Sequence, residues 1–177
     1  MLQLPGRIKN TSGDITLLAV DAIVNAANKS LLGGGGIDGA INTAVGPNLL
    51  PACQTLGGYL IGEAKITAGF ELPARRVIHT VGPRCYGGAR VEGKQLGRCY
   101  RSVFNIVRQN NLKTIAFPTI SCGSYGYPAR EASAVALREV FRFLSVEPAV
   151  EVIYFVCLDR NTQSAHDTAL RTFDWNV

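Results

Sequence analysis

Asp38 follows a run of four glycines, 33–36, by two positions in the stretch NAANKSLLGGGGIDGAI. Consecutive glycines suit neither helix nor strand, and each costs backbone entropy on ordering. What the run supplies is bare main chain: N–H groups can approach a ligand closely, and a helix beginning behind them adds partial positive charge. Together these features cradle a phosphate without needing a lysine. In the first turn of that helix the Asp38 carboxylate either complements the helix dipole or acts on a bound water. Asn25 and Asn28 end the preceding apolar segment, where strand propensity disfavours them. The Asn28 amide can both donate to and accept from sugar hydroxyls. A second glycine-bearing loop, SCGSYGYP over 121–128, offers similar bare backbone.

Other chemistries are poorly supported. Gly34, Gly36 and Gly39 formally satisfy GxGxxG, but a dinucleotide fold needs an acidic residue about 20 positions on, and 54–59 contains none. No GK[ST] occurs. The five cysteines are widely spaced and odd in number, with no CxxC, so neither a disulfide framework nor a zinc site is suggested. Two histidines without HExxH do not suggest a histidine metal site, so neither metal nor cofactor is expected. His79, within RVIHTVGP, reads as a hydrogen-bonded core or strand-end histidine. Cys122 has no adjacent histidine or lysine to activate it as a nucleophile.

The elements that must position these groups alternate. Apolar or β-branched runs at 22–26, 64–68, 77–81, 114–117 and 150–157 read as strands covered on both faces. Ile37, Ala40, Ile41, Ala44 and Val45 share one helical face. So do Leu96, Tyr100, Val103 and Val107, and then Ala132, Ala136, Val140, Phe143 and Leu144. Pro128 stands at a helix start, and Asn161 is the expected cap of a last helix through Thr172. This alternation predicts a layered α/β domain over 1–177, with ligands outside the carboxyl ends of the strands. At 47% apolar and 18% charged residues the chain suits a compact globule. No apolar run spans a membrane, and MLQLPGRIKN lacks a secretory core, which points to the cytoplasm. The net charge of +5 suits an anionic ligand. Because Arg75, Arg76, Arg98, Arg101, Arg108, Arg138 and Arg142 are scattered along the chain, nucleic acid is a possible partner but not the favoured one.

The stretches GDITLLAVDAIVNAANKSLLGGGGIDGAI, VIHTVGP and FPTISCGSYGYP, in this order from Gly13 towards Asp159, resemble the macro domain family and its hydrolytic, MacroD-type branch. The resemblance implies a three-layer α/β/α sandwich around a mixed, mostly parallel sheet. It places Asp14 at the adenine amino group with Ile15 beside the ring. Gly34, Gly35, Gly36 and Ile37 match the loop at the distal ribose and diphosphate. Ser121, Cys122, Gly123, Ser124, Tyr125 and Gly126 match the second diphosphate loop, with Tyr125 over the distal ribose. Asn28 matches the asparagine that orients this ribose, and Asp38 the catalytic aspartate. The implied activity is hydrolysis of mono-ADP-ribose from acidic side chains of proteins and deacetylation of O-acetyl-ADP-ribose, by a monomer. The alternatives are a non-catalytic ADP-ribose reader and an RNA- or protein-regulating module. Three residues depart from the family pattern. Asn42 stands where relatives often carry histidine, removing one partner for Asp38. Cys122 replaces a usual threonine, and Leu158 lies where many relatives set an aromatic ring against adenine.

Overall fold

Strands β1 (Ile8–Ser12), β2 (Ala22–Ala26), β3 (Ala64–Ala68), β4 (Arg76–Thr80), β5 (Thr114–Pro118) and β6 (Val152–Cys157) form one sheet in the order β1-β6-β5-β2-β4-β3. The computed structural model describes residues 4–29, 34–58, 60–87 and 89–175; Gly33, first of the glycine run, lies outside them. Every neighbouring pair is parallel except β3, which runs antiparallel to β4.

Helices α1 (Gly36–Val45), α2 (Leu49–Gln54), α3 (Ala89–Gln109), α4 (Ala129–Leu144) and α5 (Arg160–Thr172) complete the fold. Strand alternation divides the core between the two sheet faces. Val24, Ile78, Phe117 and Phe155 pack with Tyr100 and Val103 of α3 and Val140 and Leu144 of α4. Ile23, Val77, Ala116 and Val156 pack with Ile41 and Val45 of α1 and Leu49 of α2. Helices thus cover both faces of a mixed, mostly parallel sheet, and this is why β2, β4 and β5 are almost continuously buried. No helix among the described residues is long and apolar enough to cross a membrane.

Four features differ from the sequence expectation. Strand β1, Ile-Lys-Asn-Thr-Ser, buries only Ile8 and sits at the sheet edge, so no apolar pattern announces it. Helix α2 is six residues long, too short for a periodic pattern, although Leu49 and Cys53 are buried. Asp159, not Asn161, caps α5: its carboxylate accepts the Thr162 N–H at 2.8 Å. Strand β6 begins at Val152; Val150 is buried ahead of it.

The consequence for function lies in the middle of the sheet. β6, β5 and β2 are adjacent and parallel, so the segments that follow them leave from one edge. The glycine loop before α1, the 119–128 loop and Leu158–Asp159 therefore converge.

Candidate active site

A cleft of about 420 Å³ opens at that edge. One wall is Asn28, Gly34, Gly35, Gly36, Ile37 and Asp38; the facing wall is Ser121, Cys122, Gly123, Ser124 and Tyr125. Pro118 and Thr119 close the floor, and Leu158 and Asp159 form one end. The α1 cap is Gly35, which has no side chain to satisfy the first helical N–H groups. The start of α1 therefore lines the cleft without a side-chain cap.

Asp38 is the most constrained group. It is 4% exposed, and its Oδ1 accepts from Asn25 Nδ2 at 2.7 Å and from Asn42 Nδ2 at 3.0 Å. Its Oδ2 has no hydrogen-bond partner among the described residues. Burial pushes the carboxyl pKa above its ordinary value, and the two amide donors oppose that rise. Gly34 explains its own identity here: a Cβ would stand 3.0 Å from Asp38 Oδ2 and 3.1 Å from Asn28 Nδ2. The bare backbone thus lets the loop close over a carboxylate oxygen and an amide nitrogen at once. One oxygen of Asp38 is fixed by the protein, while the other is buried under the glycine loop at the cleft wall without a hydrogen-bond partner among the described residues.

Strand register supplies the fixing group. Asn25 on β2 pairs with His79 on β4, and both side chains lie on the face covered by α1. His79 Nε2 lies 2.9 Å from Thr67 Oγ1 on β3. Burial lowers the His79 pKa to about 4, so the ring is neutral at physiological pH. His79 is the buried, hydrogen-bonded strand histidine the sequence suggested, and it is linked through Asn25 to Asp38.

The opposite wall carries strain. Ser121 has φ +66°, a left-handed conformation that costs a non-glycine residue on the order of 1–3 kcal/mol. Its buried Oγ has no hydrogen-bond partner among the described residues. Gly82 makes this possible, since a Cβ there would meet Ser121 Oγ at 2.3 Å. Tyr125 is held by its carbonyl, which accepts the Cys85 N–H at 2.8 Å, and Arg84 lies 5.2 Å over its ring. Burial pushes the Cys122 thiol up to about 12, so it is protonated and a poor nucleophile.

The Macro domain family model matches residues 24–136. The chain belongs to the macro domain family. A macro domain-containing protein of Chlorobaculum tepidum is 52% identical over 157 residues, covering 89% of this chain and 91% of that protein. An Enterobacter cloacae protein named O-acetyl-ADP-ribose deacetylase is 50% identical over 154 residues, covering 85% and 86%. Among solved structures, an Oceanobacillus iheyensis macrodomain with ADPR superposes with a TM-score of 0.87 at 41% identity, covering 92% of this chain and 90% of that one.

Most residues singled out from the sequence meet in this macro domain cleft, but three stand outside its lining. Asp14 turns its Oδ1 to its own local turn, accepting from Thr16 N at 2.9 Å and Thr16 Oγ1 at 2.7 Å. Ile15 is buried in the core beneath. The neighbouring Gly13 N–H donates to Cys157 O at 3.3 Å, which sets this turn beside the Leu158 end of the cleft. Gly126 adopts φ +68° as the loop turns back, behind the lining residues. Asn42 also differs from expectation: it is itself a partner of Asp38, donating to both the carboxylate and the backbone carbonyl. Sequence reasoning passed over Gly82, Thr119 and Asp159 as lining residues. It also missed Asn25 as the amide that holds Asp38; the polar residue in an otherwise apolar strand was its only signal.

Proposed function

We propose that this macro domain binds ADP-ribose in the cleft and hydrolyses esters on the distal ribose. The substrates are O-acetyl-ADP-ribose and mono-ADP-ribose carried on acidic side chains of proteins. The observation that carries the reading is Asp38, with Oδ1 held by two amides and Oδ2 unpaired beside Asn28. The ADPR-bound relative and the relative named a deacetylase support the same ligand and reaction class.

In this reading the α1 start and the 121–126 loop hold the diphosphate through main-chain N–H groups and the Ser121 hydroxyl. Asn28 and Tyr125 hold the distal ribose, which fixes the ester relative to Asp38. Oδ2 accepts a proton from a water as its oxygen adds to the acyl carbon. The ester C–O bond then breaks, the ribose oxygen takes up a proton, and a carboxylic acid and ADP-ribose are released. The raised Asp38 pKa makes the carboxylate a better base than an exposed one, and the Asn25 and Asn42 donors stabilise its ionised form. The leucine and aspartate at the far end, with the Asp14 turn, receive the adenine.

The deciding experiment is Asp38→Ala, assayed for turnover of O-acetyl-ADP-ribose and of a mono-ADP-ribosylated protein beside an ADP-ribose titration. Turnover should fall by about 100-fold or more, the usual effect of losing an acid–base group, with ligand affinity retained. Undiminished turnover would return Asp38 to a helix-dipole role and leave a reader.

A further inference from the structure

A second concavity, about 460 Å³, lies between α3 and α4 and shares no lining residue with the first. Arg98, Arg101 and Arg108 of α3 follow one another at spacings of three and seven, so they share one helical face over about 15 Å. Arg138 and Arg142 of α4, four apart, answer them. Contacts rise together along both helices: Arg101 pairs with Glu139 at 2.8 Å and Phe104 stacks on Phe143, and Arg108 then pairs at 2.8 Å with Glu147, just past the end of α4. The helices therefore run side by side in parallel. Five of the arginines that are scattered in sequence become one cationic strip.

Its construction is specific. Glu139 is 3% exposed and is approached by Arg101, by Arg142 at 3.4 Å and by Arg138 at 3.9 Å. One buried carboxylate thus orients three guanidiniums, each of which stays at least half exposed and keeps N–H donors for another anion. Gly97 interrupts α3 at a cost of about 1 kcal/mol in helix propensity. A Cβ there would stand 3.0 Å from both Arg101 Nη1 and Glu139 Oε1, so the glycine makes room for this pair. Exposed Arg98 has no carboxylate partner among the described residues. The floor is a stacked pair, Phe104 and Phe143, with centroids 4.1 Å apart and Arg108 5.7 Å over Phe143.

Five guanidiniums facing two carboxylates repel one another, and nothing in the ADP-ribose cleft uses them. Their chemistry selects an extended polyanion: planar forks suit phosphate oxygens, and the row is long enough for several phosphates. Both floor rings are buried, so no aromatic platform is available for unpaired bases. We infer that the α3–α4 groove is a docking site for the phosphodiester backbone of a nucleic-acid duplex, read without regard to sequence.

The test uses the full chain and fluorescently labelled duplexes of about 16 base pairs, one RNA and one DNA of the same sequence. Anisotropy titrations would run from about 50 to 200 mM salt. At least one duplex should bind, with log K falling against log salt at a slope between about −2 and −4, near one unit per phosphate contact. Arg98→Ala with Arg142→Ala should weaken binding at low salt by about tenfold or more and flatten the slope by about 1 to 2. ADP-ribose affinity and the circular dichroism melt should not move. Arg75→Ala with Arg76→Ala removes the same charge at the exposed start of β4 and should change little. Absence of duplex binding at low salt would overturn the proposal. Equal loss in the Arg75/Arg76 pair would reduce it to overall charge, and tighter binding of poly-glutamate than of either duplex would make the groove a protein site; each also overturns it.

Discussion

The Asn25 amide nitrogen donates to Asp38 Oδ1 at 2.7 Å and lies 3.2 Å from His79 Nδ1. A single amide group can serve both only if His79 Nδ1 is an acceptor, which puts the ring proton on Nε2, towards Thr67 Oγ1 at 2.9 Å. The amide orientation follows from its neighbours: flipped, the Asn25 oxygen would face a carboxylate oxygen. A neutral histidine thus orients an amide, and the amide orients a carboxylate. The neutral state is secured by burial, which holds the histidine pKa to about 4. In the proposed reaction Asn25 and His79 act as positioning residues, and Asp38 is the group that would meet the substrate.

Replacing Asn25 with alanine leaves Asp38 Oδ1 with Asn42 alone. A hydrogen bond to a charged group is worth about 1.5–3 kcal/mol, so turnover should fall about 10- to 100-fold while ADP-ribose affinity holds. Because Asn25 opposes the rise in the Asp38 pKa, its loss should raise that pKa further. The acid limb of the pH–rate profile should therefore move to higher pH. A lower rate with an unmoved acid limb would mean that Asn25 only supports the fold.

The two central glycines of the loop should behave differently. Gly34→Ala forces a methyl group against Asp38 Oδ2 and Asn28 Nδ2, so turnover should drop about tenfold or more through misplacement of the base. At Gly35 a Cβ meets nothing within 4 Å. Gly35→Glu should fold normally yet abolish ADP-ribose binding, since a carboxylate is set beside the diphosphate. Calorimetry and a thermal melt separate the cases; retained ADP-ribose binding by Gly35→Glu would contradict the phosphate cradle.

The legible parts of this protein were those that obey one-dimensional patterns. Strands β2 to β6 carry apolar runs because most are covered on both faces, and α1, α3 and α4 show helical periodicity because each buries one side. The glycine loops and Asp38 were visible because residue type and spacing alone imply an anion cradle with a carboxylate. What stayed hidden depends on pairing across the sheet. Asn25, His79 and Thr67 are far apart in sequence and form a chain only because β2, β4 and β3 are neighbours. Strand β1 escaped because an edge strand with one buried residue needs no apolar pattern. The arginine groove escaped for the same reason: its members gather only when α3 lies beside α4.

His79 should also make stability depend on pH. Its folded pKa is about 4 against 6.5 for the ordinary side chain. Between these values the unfolded chain binds the proton and the folded chain does not, so stability falls as pH drops from about 6.5 and the loss is complete below about 4. The full loss is roughly 3 kcal/mol, of which about 2 kcal/mol is reached by pH 5. Urea denaturation of the wild type and of His79→Gln at pH 7 and pH 5 isolates this contribution. The stability advantage of the wild type should shrink by about 2 kcal/mol at pH 5. An advantage equal at both pH values would show that His79 titrates normally and is not neutral by burial.

Leu158 closes the end of the cleft beyond β6 and is 64% exposed. It offers apolar contact to a planar base but no stacking, which contributes about 1–3 kcal/mol per base where an aromatic ring supplies it. Phe155 cannot take over: it is fully buried on the other face of the sheet, packed with Phe117 and His166. Leu158→Tyr should tighten ADP-ribose binding by about 0.5–1.5 kcal/mol, the usual gain from an aromatic pair beyond its area burial. The side chain is exposed, so the larger ring can enter without displacing core residues. Ribose 5-phosphate, which has no adenine, should show no gain. Titration calorimetry with the two ligands tests the assignment, because equal gains for both, or none for ADP-ribose, would place the adenine away from Leu158.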